Sequence, residues 1–143
     1  MKISAPRATL TTEAIAALLT GAIARARQLD RRIWVAVADG SGQIVGLLGC
    51  DGAPRISRQV AQDKAFTAAV TGMPTSAWKA YVESIPASER EIIARHPGFI
   101  DADGGFPIFD GELLAGAIGA SGANQEEDAD IARAGLAALG RSA

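Results

Sequence analysis

Cysteine and histidine are nearly absent from this chain, which has one of each among its 143 residues. A single thiol, Cys50, cannot form a disulfide within the chain, and the Cys/His spacings of zinc sites are missing. The sequence pairs no recognisable general base with Cys50. We therefore expect this cysteine to act as a small hydrophobic residue at a strand end. The sequence therefore argues against a disulfide framework, a zinc module and a cysteine nucleophile.

Long apolar runs and basic clusters are also missing. No apolar stretch approaches the ~18 residues of a membrane span, and the chain opens on Met1-Lys2-Ile3 without the apolar core of a signal peptide. The 14 Lys and Arg residues stand against 16 Asp and Glu residues, with a net charge of -2. Nucleic-acid binding requires a basic face. We therefore expect a cytoplasmic protein that binds neither nucleic acid nor membranes.

Aromatic residues are scarce, at 5% of the chain, although hydrophobic residues reach 48%. Small residues dominate the apolar set, and they let helices and strands approach closely. A chain of this length forms one domain and buries about two thirds of its unfolded surface. We expect a single domain over residues 1–143.

Apolar periodicity predicts helices and hairpins in alternation. The predicted helices span about residues 12–29, 54–70, 76–83, 88–95 and 125–139, with Thr11 or Thr12, Ser88 and Asn124 as caps. The predicted strands span residues 33–38 and 43–49, around an Asp-Gly turn, and residues 106–109 and 112–121, around Asp110-Gly111. Hairpins imply antiparallel pairing, so we expect an α+β fold in which a sheet of four or five strands is covered on one face by helices.

Several segments resemble the GlcG/HbpS-like family. In the first half these are Val35-Ala36-Val37-Ala38-Asp39, Gly42, Asp51-Gly52-Ala53-Pro54 and Ala61-Gln62-Asp63-Lys64-Ala65. In the second half they are Gly104-Gly105-Phe106-Pro107-Ile108, Gly116-Ala117-Ile118-Gly119-Ala120-Ser121-Gly122 and Ala134-Gly135-Leu136. Each motif is weak alone, but their order and spacing over about residues 10 to 140 are fairly specific.

The resemblance implies a profilin- or PAS-like antiparallel sheet flanked by helices and assembled into dimers or larger rings. It also implies haem binding, since several relatives bind haem, including the HbpS sensors and the C-terminal domain of the PduO type of corrinoid adenosyltransferase. Other relatives belong to catabolic gene clusters and include possible enzymes, so the resemblance indicates the fold more firmly than the function.

His96 is the first candidate functional residue, because a neutral imidazole is the commonest protein ligand of haem iron. It precedes Pro97-Gly98-Phe99, which reads as a loop. The haem-ligating histidines of the family lie nearer the N-terminus, where this chain has none. Either His96 replaces them, or haem is held without histidine, or haem is not the ligand. The alternative is a loop histidine without a special role.

Lys64 is the second candidate. It follows Ile56 and Val60 at helical spacing, which places it on the apolar side of its helix. Such a lysine binds carboxylates in a pocket, such as haem propionates, or acts as a base or Schiff-base nucleophile when desolvated. The alternative is packing or a structural ion pair, with Asp63 as the nearest candidate partner. Arg58, near the start of the same helix, is a second carboxylate ligand or a solvated residue.

Glycines and aromatic residues complete the predicted site. Gly104 and Gly105 allow a backbone to approach a ligand or to turn tightly, and Phe99 or Phe106 would cover a haem ring. The small residues Gly116, Gly119, Ser121 and Gly122 are best explained by close packing of a helix or a second subunit. Trp34 and Trp78 are expected in the core or at an interface. The aspartates 101, 103 and 110 read as turn formers rather than acid–base or cation groups.

These residues support three hypotheses. The first is a haem-binding or haem-handling protein, in which Lys64 and Arg58 receive propionates and His96 is an axial ligand. The second is a small-molecule catabolic enzyme, an isomerase, hydratase/lyase or hydrolase, that holds a carboxylated substrate at Arg58 and uses Lys64 and His96 as base and acid. The third is a structural or sensory homo-oligomer without a ligand.

Overall fold

An antiparallel sheet in the order β2-β1-β4-β3 organises the chain in the computed structural model, which describes residues 1–141. Within these residues the strands are β1 Trp34–Asp39, β2 Ile44–Gly49, β3 Gly105–Asp110 and β4 Leu113–Ser121. The helices are α1 Thr12–Gln28, α2 Arg55–Thr71, α3 Thr75–Ser84, α4 Ala87–Ala94 and α5 Gln125–Ala137. The α+β class and the four-stranded antiparallel sheet are as predicted.

Two of the three predicted helix caps are confirmed. The Thr11 hydroxyl accepts a hydrogen bond from the Ala14 N–H at 3.1 Å, and the Asn124 side chain accepts one from the Glu127 N–H at 2.8 Å. The predicted cap at Ser88 is wrong, because α4 begins one residue earlier, after Pro86. Proline ends the preceding extended segment and fixes the start of the helix without any side-chain cap.

The first hairpin turns at a different glycine from the one expected. The positive φ angle, +86°, belongs to Gly42 and not to Gly40. The Asp39 carboxylate organises this turn by accepting hydrogen bonds from the N–H groups of Ser41 and Gln43, at 2.9 and 3.0 Å. An aspartate side chain thus replaces a tight two-residue turn with a longer one.

Helices cover both faces of the sheet, so the expectation of a single covered face is wrong. On one face, α1 and α5 bury Val35, Val37 and Ile118. On the other face, α2 packs over a layer of alanines that includes Ala36 and Ala117. The reason is visible in β1, whose residues 35–38 are apolar and fully buried without alternation, as in strands covered on both sides.

Gly119 sets how closely α2 approaches β4. A Cβ atom added there would collide with the Ala61 carbonyl oxygen and would lie 2.6 Å from the Ala65 nitrogen. Both are backbone atoms of α2, so they cannot rotate away. The expectation that the small-residue stripe serves close helix packing is confirmed at this position.

Gly119→Ala should therefore destabilise the protein by about 1–3 kcal/mol, the usual cost of overpacking a tight interior. Gly40→Ala is the matched control, because its Cβ would meet nothing closer than the Leu114 carbonyl oxygen at 3.5 Å. Urea unfolding of both variants measures the difference. Equal midpoints for the two variants would contradict this account of α2 packing.

Candidate functional site

Lys64 lies in the interior and is engaged by protein groups. Its ammonium donates hydrogen bonds to the Ala120 carbonyl oxygen at 2.8 Å and to the Asp128 carboxylate at 3.0 Å. The side chains of Lys64 and Asp128 are 2% and 4% exposed. The ion pair joins α2, the end of β4 and the first turn of α5 across the end of the sheet.

The apolar face expected for α2 is wrong at Ile56, which is 78% exposed. The face of α2 that is turned to the sheet is lined by small residues instead, Ser57, Ala61, Ala65 and Ala68. Small residues bring the helix backbone down to the strands, so that the lysine beside them reaches Ala120 and Asp128 rather than solvent.

Gly104 and Gly105 make room for this lysine. Gly104 has a φ angle of +120°, and a Cβ there would lie 3.0 Å from the Lys64 ammonium nitrogen and 2.9 Å from the Ala120 oxygen. A Cβ on Gly105 would lie 2.6 Å from the Lys64 carbonyl oxygen. The pair of glycines is explained by this close approach, and their predicted role in binding a ligand stays a prediction.

Asp128 is the residue that sequence reasoning missed, since an acidic group in the first turn of a helix is already accounted for by the helix dipole. One carboxylate oxygen accepts from Lys64 and the other from the Ala123 N–H at 2.9 Å. Burial raises the pKa of the Asp128 carboxyl above its usual value, and the opposing attraction of Lys64 does not cancel that effect. Asp63, the expected partner of Lys64, instead accepts a hydrogen bond from Gln59.

Lys64→Met should cost about 3–5 kcal/mol of unfolding free energy, because it leaves a buried carboxylate without its counter-charge. Asp128→Asn keeps the shape and the acceptor for Ala123, so the double variant should lose less than the sum of the single losses. Lys79→Met, on α3, is the control. A loss for Lys64→Met no larger than for this control would show that the ion pair is not structural.

His96 lies on the exposed loop between α4 and β3. The next two residues, Pro97 and Gly98, line an open groove of about 270 Å³. The opposite walls come from the first hairpin, at Ile44, and from α2, at Phe66. His96 therefore directly precedes two residues that line a groove, and this groove is partly apolar and open to solvent.

The loop that carries His96 is held in place by α2. The Thr67 hydroxyl donates to the Gly98 carbonyl oxygen at 3.1 Å and accepts from the Ile100 N–H at 3.0 Å. Phe99 lies between Phe66 and Trp78, with ring centroids 5.5 and 5.3 Å away. A buried threonine and an aromatic stack thus fix the backbone that follows the histidine.

Phe106, the other residue predicted to cover a haem ring, lies in a different part of the fold. It is 7% exposed in the core between the sheet and helices α1 and α5, with the Arg133 guanidinium over its ring. Phe99 packs on the α2 side of the sheet, so the two rings are on opposite faces.

Lys64 is buried while His96 is exposed, so the base and acid of the enzyme hypothesis do not meet in this structure. The predicted roles of these residues in binding or catalysis stay predictions.

Arg58 lies at the outer surface of α2, with its guanidinium carbon 5.5 Å from the centroid of the Trp34 ring. The Trp34 indole nitrogen is buried and, among residues 1–141, is the one buried side-chain nitrogen or oxygen atom that has no hydrogen-bond partner. Sequence reasoning placed Trp34 in the core or at an interface and did not detect this unpaired donor.

Within residues 1–141 there is neither a metal-binding cluster nor a helix able to span a membrane. No three His, Cys, Asp or Glu side chains converge there as a metal site would require. Asp110, one of the loop aspartates, accepts a hydrogen bond from Arg141 at 3.0 Å. No helix within residues 1–141 combines the length and the apolar character needed to cross a bilayer.

Comparison with known proteins decides the family. A family model described as "Haem degrading protein HbpS-like" matches residues 10–137. The chain belongs to the HbpS-like family. The resemblance to GlcG/HbpS-like proteins is thereby confirmed over most of the sequence. No curated protein matches the chain in sequence.

Several solved structures share the fold of this chain. A double mutant of HbpS from Streptomyces reticuli is 31% identical, with a TM-score of 0.85 over 96% of this chain and 92% of that one. A PduOC:heme complex is 26% identical, with a TM-score of 0.83 over 91% and 94% of the two chains. ORFY of Klebsiella pneumoniae, at 22% identity, a TM-score of 0.89 and coverage of 98% and 97%, supports the fold alone.

Proposed function

We propose that this HbpS-like protein binds or handles haem at the groove beside His96, with the imidazole as an axial ligand. The observation that carries the proposal is an exposed histidine directly before Pro97 and Gly98, which line a partly apolar groove. Support comes from the family model, whose description names haem degradation, and from the similar PduOC structure, which is a complex with heme.

The residues around the groove fit a haem held at an exposed face. Ile44 and Phe66 offer apolar surface to a porphyrin, and the groove is open, so a planar ring need not be enclosed. The donor chemistry also fits, because a histidine is a common proximal ligand of haem iron. When bound, haem would supply iron-centred chemistry, and His96 would hold the iron through an imidazole nitrogen.

Arg58 is the proposed ligand of a propionate. It lies two turns before Phe66 on α2, which is about 12 Å along the helix axis at 1.5 Å per residue. The same helix surface therefore leads from the groove to a guanidinium suited to a carboxylate. Lys64 was expected to share this role, but its ammonium already has two partners in the interior.

Titration of the apo-protein with hemin should give a saturable one-to-one Soret band. His96→Ala should shift that band and weaken the affinity about tenfold or more, because the iron loses its nitrogen ligand. The Soret spectrum and the binding isotherm are the measurements.

Arg95→Ala, which changes the neighbouring exposed residue, is the matched control and should leave band and affinity unchanged. A saturable band that is identical in His96→Ala would remove His96 from the iron. The absence of any saturable band would overturn the haem proposal itself.

We also propose that the protein forms a homo-oligomer. Both edge strands of the sheet carry large apolar side chains that are at least 40% exposed: Val45 and Leu48 on β2 and Phe109 on β3. Edge strands with exposed apolar residues are prone to pair with another chain. Light scattering should give a multiple of 14.7 kDa.

Leu48→Glu should lower that mass, because it puts a charge on the edge of β2. Gln43→Glu, in the exposed hairpin turn, is its control and should not change the mass. A mass of one chain for the unaltered protein at high micromolar concentration would contradict the oligomer.

A further inference from the structure

A second groove lies between α3, α4 and the loop that leads into β3, and haem binding beside His96 does not use it. Its volume is about 160 Å³, and its apolar walls include Trp78, Val82, Ile93 and Phe99. We call it the α3–α4 groove. It shares no lining residue with the groove beside His96, so the two are separate places on the surface.

Helical spacing brings the walls of the α3–α4 groove together. Trp78 and Val82 are four residues apart on α3, and Arg90, Ile93 and Ala94 recur at three- and four-residue steps on α4, so each set shares one helix face. No residue of α4, which lies wholly within the described part of the chain, is buried. The helix therefore stands beside these walls without closing the groove.

Two side chains of opposite charge complete the lining, Arg90 of α4 and Asp101 of the loop. Within residues 1–141 neither side chain forms an ion pair, and they do not pair with each other. A space of this volume holds about one side chain, so one small ligand placed in it is within reach of both charges. The groove thus combines an apolar interior with one positive and one negative group.

We infer that the α3–α4 groove binds a free α-amino acid with a branched aliphatic side chain, such as leucine. The Arg90 guanidinium would receive the carboxylate of the ligand, since its fork of N–H donors matches two carboxylate oxygens. The Asp101 carboxylate would accept hydrogen bonds from the ammonium group. One charge of each sign suits a zwitterion rather than a ligand with a net charge.

The size of the groove limits the ligand. An apolar cavity of about 150 Å³ holds a molecule as small as benzene, whereas sites for drug-sized ligands occupy about 300–1,000 Å³. A groove of about 160 Å³ therefore accommodates a single small side chain.

The aromatic walls favour an aliphatic side chain over a ring. Trp78 already stacks on Tyr81 and on Phe99, with ring centroids 5.4 and 5.3 Å away. These rings have stacking partners within the protein. An aliphatic group gains from the apolar area that it buries and needs no free ring face.

Indole N–H resonances test the site in the protein without hemin. L-Leucine should move the Trp78 signal in a saturable way, because Trp78 lines the groove. The Trp34 signal, from β1, should stay in place and is the internal reference, and Trp34→Phe assigns the two signals. Glycine, which carries both charges but no side chain, should produce no saturable shift.

Ligands that lack one charge test the zwitterion. 4-Methylpentanoate has no ammonium group and 3-methylbutylamine has no carboxylate, so each should bind about tenfold or more weakly than L-leucine, as the loss of a charged hydrogen bond predicts. Equal affinities for L-leucine and 4-methylpentanoate would contradict a role for Asp101.

Variants of the lining residues complete the test. Arg90→Gln and Asp101→Asn should each weaken L-leucine binding about tenfold, and Asp101→Asn should also abolish the preference for L-leucine over 4-methylpentanoate. Ala94→Leu should block binding by filling the groove. Arg95→Gln and Glu91→Gln, which make the same changes of charge beside the groove, are the matched controls and should leave the affinity unchanged.

Two results would overturn the inference. One is a Trp78 signal that gives no saturable response at tens of millimolar L-leucine. The other is a response that is the same in Arg90→Gln and Asp101→Asn as in the unaltered protein, which would mean that only the apolar walls bind. Neither result depends on whether hemin binds beside His96.

Discussion

The close approach of α2 to the sheet is the constraint on which the rest of the structure depends. Gly119 lets the helix backbone lie against β4, and the alanines of α2 keep the separation small. At that separation a lysine side chain passes the end of the sheet and reaches Asp128 of α5. One ion pair therefore links the helices on the two faces, and its burial makes each charge depend on the other.

The same packing determines which side chains stay exposed and are able to contact a ligand. Because Lys64 faces inward, the outer surface of α2 offers Arg58 and Phe66, and the neighbouring loop adds His96. The helix covers β1 and β4 but leaves β2 as a partly exposed edge. The groove beside His96 lies along that margin, between Ile44 of β2 and Phe66 of α2.

Much of the architecture could be predicted from local patterns, because hairpin turns and apolar periodicity act over a few residues. The strands, the caps at Thr11 and Asn124 and the family resemblance were all predicted in this way. The face covered by α2 was not, since alanines carry little periodic signal. The partner of Lys64 was also missed, because it lies 64 residues away and no local pattern relates the two.

The sequence by itself determined the fold class, the family and the small set of groups available for chemistry, one histidine and one cysteine among them. Only the tertiary structure decided which of those groups face a ligand. Lys64 and Phe106 became interior residues, while the Trp34 indole became a buried donor without an acceptor. The physical reason is that burial and pairing depend on which surfaces meet, and those contacts join residues far apart in the chain.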